Sequence, residues 1–163
     1  MFRDSRIPTA LALALALTGC VSNRPTPVRH STEAITEVHL LAMPVALNLN
    51  AAPGADGIQL SVFLVVTGHA KTAPMTTGAL EVVAYDGSVN PEHLPSPFQM
   101  WRFEPDTLSP YAFNSVVGTG YNLVLSWAPK LLARKRVTVL AKYLPPQGPA
   151  VVSAPSSIAA TSQ

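Results

Sequence analysis

The chain has 163 residues, of which 48% are hydrophobic and 12% are charged, and its formal net charge at pH 7 is +2. This composition favours one packed domain of ordinary size and excludes a disordered, highly charged stalk. The near balance of charge also argues against a protein that attracts nucleic acid over long distances.

The first nineteen residues have the three parts of a secretory signal peptide. Arg3 and Arg6 outnumber Asp4 in a short amino-terminal region, and an apolar run follows from Ala10 to Leu17. This run is shorter than the about 20 apolar residues that a transmembrane helix needs. We therefore expect residues 1–19 to direct export and to be cleaved. Their removal takes away two arginines and one aspartate, and it leaves nine basic against eight acidic side chains.

Cys20, the only cysteine of the chain, follows this segment directly. The residues Leu17-Thr18-Gly19-Cys20 resemble the bacterial lipoprotein signal, in which a leucine and two small residues precede an invariant cysteine. The resemblance implies that Cys20 becomes the acylated first residue of the mature protein. It also implies sorting to the outer membrane, because the next residue is Val21 and not aspartate, and the domain is expected to face the periplasm. The alternative is a chance cysteine after an ordinary secretory signal.

Residues 20–34 contain the predicted lipidated cysteine and a segment that has Pro25 and Pro27 but no apolar period. Such a segment is typical of an extended tether. Fully stretched at about 3.3 Å per residue, it would lift the following domain some 40 Å from the lipid. Arg24 and Arg29 are expected to be solvated, and contact with anionic head groups is the alternative.

Short apolar segments separated by turn residues make up the chain from Ile35 to Val152. The clearest are Ile58–Val66 and Tyr121–Trp127, in which apolar residues occupy every second position; this period is typical of strands. Strands are predicted over residues 38–41, 45–49, 58–66, 80–85, 98–103, 121–127 and 136–143, with an edge strand at 150–152. This spacing predicts an all-β protein, a β-sandwich of about seven or eight strands over residues 35–152. Residues 153–163 are predicted to be a low-complexity tail.

No motif for catalysis or for a cofactor follows from the sequence, and we expect a protein that is not an enzyme and holds no cofactor. Gly118-Thr119-Gly120 favours a turn before a strand over a phosphate cradle. The histidines lack the close pair spacing of a local zinc site; they are His30, His39, His69 and His93.

Three aspartates leave a calcium site open as an alternative. Asp56, Asp86 and Asp106 each fall in a predicted loop, and carboxylate oxygens would bind calcium if those loops met at one end of the sandwich. The ordinary role of aspartate in turns is favoured.

Large aromatic side chains on the predicted strands are expected to form the core, with an exposed ligand platform as the alternative. They are Trp101, Phe103, Tyr121, Trp127 and Tyr143. One dense basic cluster is expected to be solvated at the end of a hairpin, and contact with a phosphate-bearing lipid or an acidic partner is the alternative. It contains Lys130, Arg134, Lys135 and Arg136.

Two resemblances bear on the domain itself. Segments between residues 57 and 158, among them Gly78–Gly87, Trp101–Phe103 and Arg136–Tyr143, look like a group of small uncharacterised bacterial lipoproteins, and this likeness implies no activity. Leu47-Asn48-Leu49-Asn50, followed by a glycine-containing turn and a strand, is similar to the outer-membrane lipoprotein of type VI secretion. That second likeness implies a transthyretin-like sandwich that acts as a membrane-held adaptor.

Together these patterns predict a non-enzymatic lipoprotein of the outer membrane, anchored through Cys20. Its β-sandwich, transthyretin-like or C2-like, would be a structural or protein-binding component of the envelope, of which a secretion-system adaptor is one form. Its partners would be the membrane and another envelope protein, and not nucleic acid. The alternative is a calcium- or lipid-binding C2-like module.

Overall fold

The computed structural model describes residues 34–50, 53–90, 92–127 and 135–160. The chain divides into two units, Met1–Ser31 and Thr32–Gln163, and all of the described residues belong to the second. Cys20, the predicted signal peptide and the predicted tether up to residue 33 lie outside the described residues, as do Lys130 and Arg134 of the basic cluster. No helix within the described ranges combines the length and the apolar character that crossing a membrane requires.

Nine strands and two short helical segments account for the regular structure of the described residues. The strands are β1 Ile35–Ala42, β2 Gly57–Val66, β3 Ala79–Asp86, β4 Gln99–Phe103, β5 Ala112–Ser115, β6 Gly118–Ser126, β7 Arg136–Leu144, β8 Val151–Val152 and β9 Ser156–Ala159. Helix α1 covers Pro105–Leu108, and one 3₁₀ turn at Ser109–Tyr111 follows it.

The strands form two antiparallel sheets with a shared core, which confirms the predicted all-β sandwich. The four-stranded sheet has the order β1-β2-β6-β5, and the five-stranded sheet has the order β4-β3-β7, with β8 and β9 both paired to β7. The count of nine strands exceeds the seven or eight expected.

Strand β2 shows how the sequence produces this arrangement. Its apolar residues at every second position, from Ile58 to Val66, are all buried, while the residues between them are partly exposed. A strand of period two places these two sets on opposite faces of the sheet. The buried set of β2 packs with buried residues of β3, β6 and β7 in one cluster. The core therefore lies between the sheets, as the alternation predicts.

The register defines two ends of the sandwich. Ile35, the first residue of β1, is paired with Val66, the last residue of β2, and β6 begins beside them at Gly118; we call this the Ile35 end. At the other end, just after Ala42, the backbone of Ala46 donates a hydrogen bond of 2.8 Å to the carbonyl of Ala159. We call this the Ala42 end. Here the β1–β2 connection bonds to β9 and so joins the two sheets.

The strand predicted at 45–49 is wrong. Val45 forms an isolated bridge with Ala159 of the five-stranded sheet, whereas Leu47 forms one with Gly57 of the four-stranded sheet. Because the two residues pair with different sheets, the segment crosses between them and does not extend either sheet.

The structure also contains elements that the sequence did not suggest. Strands β5 and β9 and helix α1 were not predicted, and β9 lies inside the expected tail, so the sandwich continues past the predicted boundary at Val152. Ile158 explains this, because its side chain is buried in the core and it pairs with Val137 of β7. Ser153 is buried as well, and its hydroxyl accepts a hydrogen bond of 3.0 Å from the N–H of Ala141.

Candidate functional site

The aromatic residues proposed for the core divide into two groups. Tyr121, Trp127 and Tyr143 are buried, as predicted. Trp101 and Phe103 are half-buried on β4 and pack against the core from the side. Strand β4 is an edge strand of the five-stranded sheet, and its two aromatic rings are less buried than the other three.

The three aspartates of the calcium alternative do not come together. Asp86 is the last residue of β3 and lies at the Ala42 end. Asp106 lies in α1, which follows β4. Because β4 finishes beside Leu80, near the start of β3, Asp106 lies at the opposite end of the sheet. Asp56 is buried, and its Oδ1 accepts a hydrogen bond of 2.5 Å from the N–H of Leu49. Within the described ranges, no three or more of His, Cys, Asp and Glu cluster closely enough to hold a metal.

The described histidines and basic residues lie on separate elements. His39 on β1 is within 3.1 Å of the Glu37 carboxylate, whereas His69 and His93 lie in the connections after β2 and β3. In the basic cluster, Lys135 and Arg136 are exposed, and Arg136 Nη1 donates a hydrogen bond of 2.9 Å to Ser157 Oγ.

Arg102 forms two ion pairs on the outer face of the five-stranded sheet. Arg102 donates hydrogen bonds of 3.1 Å to both Glu81 and Glu104. Both bonds raise the pKa of the Arg102 guanidinium above its ordinary value, and the bond to Glu104 has the larger effect. Both side chains of the Arg102–Glu104 pair are more than half exposed, and exposed ion pairs contribute little to stability.

The feature best suited to recognition is the free edge of the four-stranded sheet at β1. Met43 donates a backbone hydrogen bond of 2.9 Å to Gln59, which continues the β1–β2 register. Because backbone groups alternate in direction along an antiparallel strand, Leu41 and His39 also turn toward β2. Val38 and Leu40 turn their N–H and C=O groups the other way, toward an edge with which no described strand pairs.

A groove runs along this edge. It has a volume of about 320 Å³ and is lined by residues 36–41 of β1 together with Val151, Val152 and Ala154. Among the described residues that line it, the ionisable side chains are those of Glu37 and His39. An unpaired strand edge that borders an apolar groove is the arrangement that accepts an added strand.

The outer face of the four-stranded sheet continues this surface away from the edge. His39, Phe63, Gly120 and Phe113 form one row across β1, β2, β6 and β5. The rings of Phe63 and Phe113 meet edge to face over Gly120, with centroids 5.8 Å apart. A Cβ on Gly120 would lie 2.6 Å from Phe63 and 2.8 Å from Phe113. The glycine is therefore what lets the two rings meet.

The sequence did not reveal the β1 edge as a site. Alternation identifies a strand and its buried face, but it does not indicate which neighbours pair with that strand. The composition of β1 carries a weak signal, because its residues from Val38 to Ala42 include neither the lysine nor the proline that often protects an edge.

Comparison of the chain with protein-family models, with curated proteins and with solved structures found no match.

Proposed function

We propose that the protein is an outer-membrane lipoprotein, anchored through Cys20, whose β-sandwich binds another protein of the envelope at the β1 edge. The observation that carries the binding role is the outer edge of β1, with which no described strand pairs, beside its groove. The lipobox Leu17–Cys20 supports the anchor. The likeness of Leu47–Asn50 to the type VI secretion lipoprotein supports an adaptor role of the same kind.

The edge defines the chemistry of the partner. An extended segment would bond through its backbone to the outward-facing N–H and C=O groups of Val38 and Leu40. On one side, its alternate side chains would enter the apolar groove against Val151 and Val152. On the other side, they would lie near Glu37 and His39, which are more than half exposed. We therefore infer a partner strand with apolar residues at every second position and polar residues between them.

A pair of variants at Leu40 tests this binding mode. The N–H of Leu40 faces the open edge, so Leu40→Pro removes this group without breaking the β1–β2 hydrogen bonds. Proline is tolerated at such edge positions. Leu40→Ala also loses the leucine side chain but keeps the N–H. In purifications from native membranes, the partner should be recovered with the wild type and Leu40→Ala and lost with Leu40→Pro. Equal recovery with both variants would rule out strand addition at β1.

Site-specific cross-linking locates the same contact directly. A photoactivatable residue at position 41, where Leu41 is 63% exposed on β1, should cross-link the partner. The same group at Met100, which is exposed on the edge strand β4 of the other sheet, is the matched control and should not. Cross-linking from position 100 alone would move the binding surface to the opposite edge.

The anchor is tested separately. Cys20→Ser should abolish labelling by a fatty-acid analogue and release the protein from the membrane fraction. The melting temperature of the domain should not change, because the tether separates Cys20 from the sandwich. Continued labelling of the variant, together with membrane fractionation, would show that Cys20 is not the anchor.

A further inference from the structure

The hairpin between β5 and β6 exposes two consecutive aliphatic residues at the Ile35 end of the sandwich. Ser115 and Gly118 pair across the hairpin, so Val116 and Val117 form its two-residue turn. Val116 is 93% exposed and Val117 is 50% exposed. Gly118 follows with φ +113°, in the left-handed region that favours glycine. Single exposed aliphatic residues are common, so this turn needs a second observation before a role follows.

The turn is held firmly by the connection between β2 and β3. The N–H of Thr72 donates a hydrogen bond of 2.8 Å to the carbonyl of Val117. The hydroxyl of Thr72 lies 3.0 Å from that carbonyl and 2.8 Å from the carbonyl of Thr119. These bonds use the polar backbone groups at the base of the turn and leave the two valine side chains pointing outward.

The second observation is where the chain enters the sandwich. Ile35 begins β1 opposite Val66, and the connection that holds the turn starts at the next residue, Thr67. The fourteen residues between Cys20 and Ile35 therefore lead into the domain at the end that carries the Val116–Val117 turn. Fully extended at about 3.3 Å per residue they reach less than about 50 Å, so a lipid at Cys20 keeps this end within that distance of the membrane.

The side chains of the connection that holds the turn fit a lipid surface. The connection from Thr67 to Gly78 contains His69 and the exposed Lys71 and no carboxylate. Lys71 precedes Thr72 and so lies beside the base of the turn. Aliphatic residues enter the boundary between head groups and acyl chains, while a lysine next to them interacts favourably with anionic head groups.

We propose that the Val116–Val117 turn inserts into the lipid surface that carries the Cys20 anchor and so orients the sandwich on the membrane. The inference rests on the proposed function, because the lipid at Cys20 is what brings this end to the surface. With the Ile35 end at the lipid, β1 leads away from the membrane, and the groove edge at Val38 and Leu40 stays open to a partner in the periplasm.

A fluorescent label at the turn tests the insertion. In the lipidated protein the Cys20 thiol is consumed by its thioether, so Val116→Cys introduces the only free thiol. An environment-sensitive fluorophore on this thiol should shift to the blue when the lipidated full chain is reconstituted in phosphatidylethanolamine–phosphatidylglycerol vesicles. Lipids that carry a nitroxide at head-group depth should quench it.

Ser88→Cys is the matched control. Ser88 is exposed and lies at the Ala42 end, away from the turn. Its neighbour Gly87 donates a hydrogen bond to the carbonyl of Arg136, and Arg136 pairs with Ala159 at that end. A label there should show neither the shift nor the quenching.

Each other outcome overturns a defined statement. Equal signals from the labels at 116 and 88, or no signal from either, overturn the insertion. If the thiol at position 116 is shielded from a water-soluble thiol reagent in native membranes but not in protein-free vesicles, the turn contacts a protein. This result also overturns the insertion. Titration of two thiols in Val116→Cys shows that Cys20 is free, which refutes the anchor itself. One titrated thiol without a fluorescence shift refutes only the insertion.

Discussion

The phenol oxygen of Tyr121 accepts a hydrogen bond of 2.7 Å from the backbone N–H of Met75, 46 residues earlier in the chain. Both residues are buried. The bond attaches the long connection between β2 and β3 to the core strand β6, and this connection also holds the Val116–Val117 turn through Thr72. One buried side chain thus supports the geometry of the Ile35 end.

Tyr121→Phe should therefore destabilise the domain. It leaves the buried N–H of Met75 without its acceptor, which costs about 1 to 3 kcal/mol of unfolding free energy. Denaturant titration measures the change, and Tyr111→Phe is the control, because Tyr111 is 45% exposed and should change stability by less than about 0.5 kcal/mol. Equal effects of the two substitutions would contradict the assigned role of the hydrogen bond.

The same tyrosine makes stability depend on alkaline pH. Burial raises the pKa of Tyr121 above its ordinary 10.0, against a smaller lowering by the Met75 hydrogen bond. Above about pH 10 the unfolded chain therefore loses this proton before the folded protein does, and stability should fall as pH rises through the folded pKa. Tyr121→Phe should make the fall less steep. Part of it should remain, because burial also raises the pKa of Tyr85. An unchanged slope in the variant would refute this assignment.

The two tryptophans should differ in their contribution to stability. Trp127 is 4% exposed, packs edge to face on Phe98, and donates from Nε1 to the carbonyl of Ala55 at 3.0 Å. Trp127→Ala should cost about 3 to 5 kcal/mol. Trp101→Ala should cost clearly less, because that ring is only half-buried on the edge strand β4. Urea unfolding of both variants decides the order, and the reverse order would place Trp101 at the centre of the core.

Two glycines with nearly the same φ allow the cost of backbone strain to be separated from the cost of steric overlap. Gly54 and Gly118 have φ values of +114° and +113°. A Cβ on Gly54 meets no described residue within 4 Å, whereas on Gly118 it would lie 2.5 Å from the carbonyl oxygen of Thr72. Gly54→Ala should cost only the backbone strain of about 1 to 3 kcal/mol, and Gly118→Ala should cost more. Equal melting temperatures would show that the Thr72 contact yields without cost.

Calcium should not raise the melting temperature of the protein. A ligand that binds only the folded state at one hundred times its Kd adds about 2.7 kcal/mol, which a thermal melt detects. Asp86 and Asp106 lie at opposite ends of the five-stranded sheet, and Asp56 already accepts a bond from Leu49. A rise with calcium that disappears in Asp86→Asn would instead favour the calcium-binding module.

The alternation in β2 and in β6 was enough to predict two strands and the buried face of each. The burial of Tyr121, Trp127 and Tyr143 followed from the same period. This pattern is local, because the side chains of a strand alternate between its two faces whatever strand lies beside it. The lipobox at Leu17–Cys20 is likewise a local pattern, and the anchor stays a prediction because those residues lie outside the described ranges.

Tertiary structure alone decided which strands are edges, and hence where the candidate site lies. Nothing in the four residues of β5 or of β9 distinguishes a strand from a loop until β6 and β7 supply hydrogen-bond partners. Likewise, Val45 and Leu47 look like one strand but bridge to different sheets. Pairing joins residues that are far apart in the chain, so local sequence determined the alternating faces, while the open edge of β1 and the exposed turn at Val116 arose only when the sheets assembled.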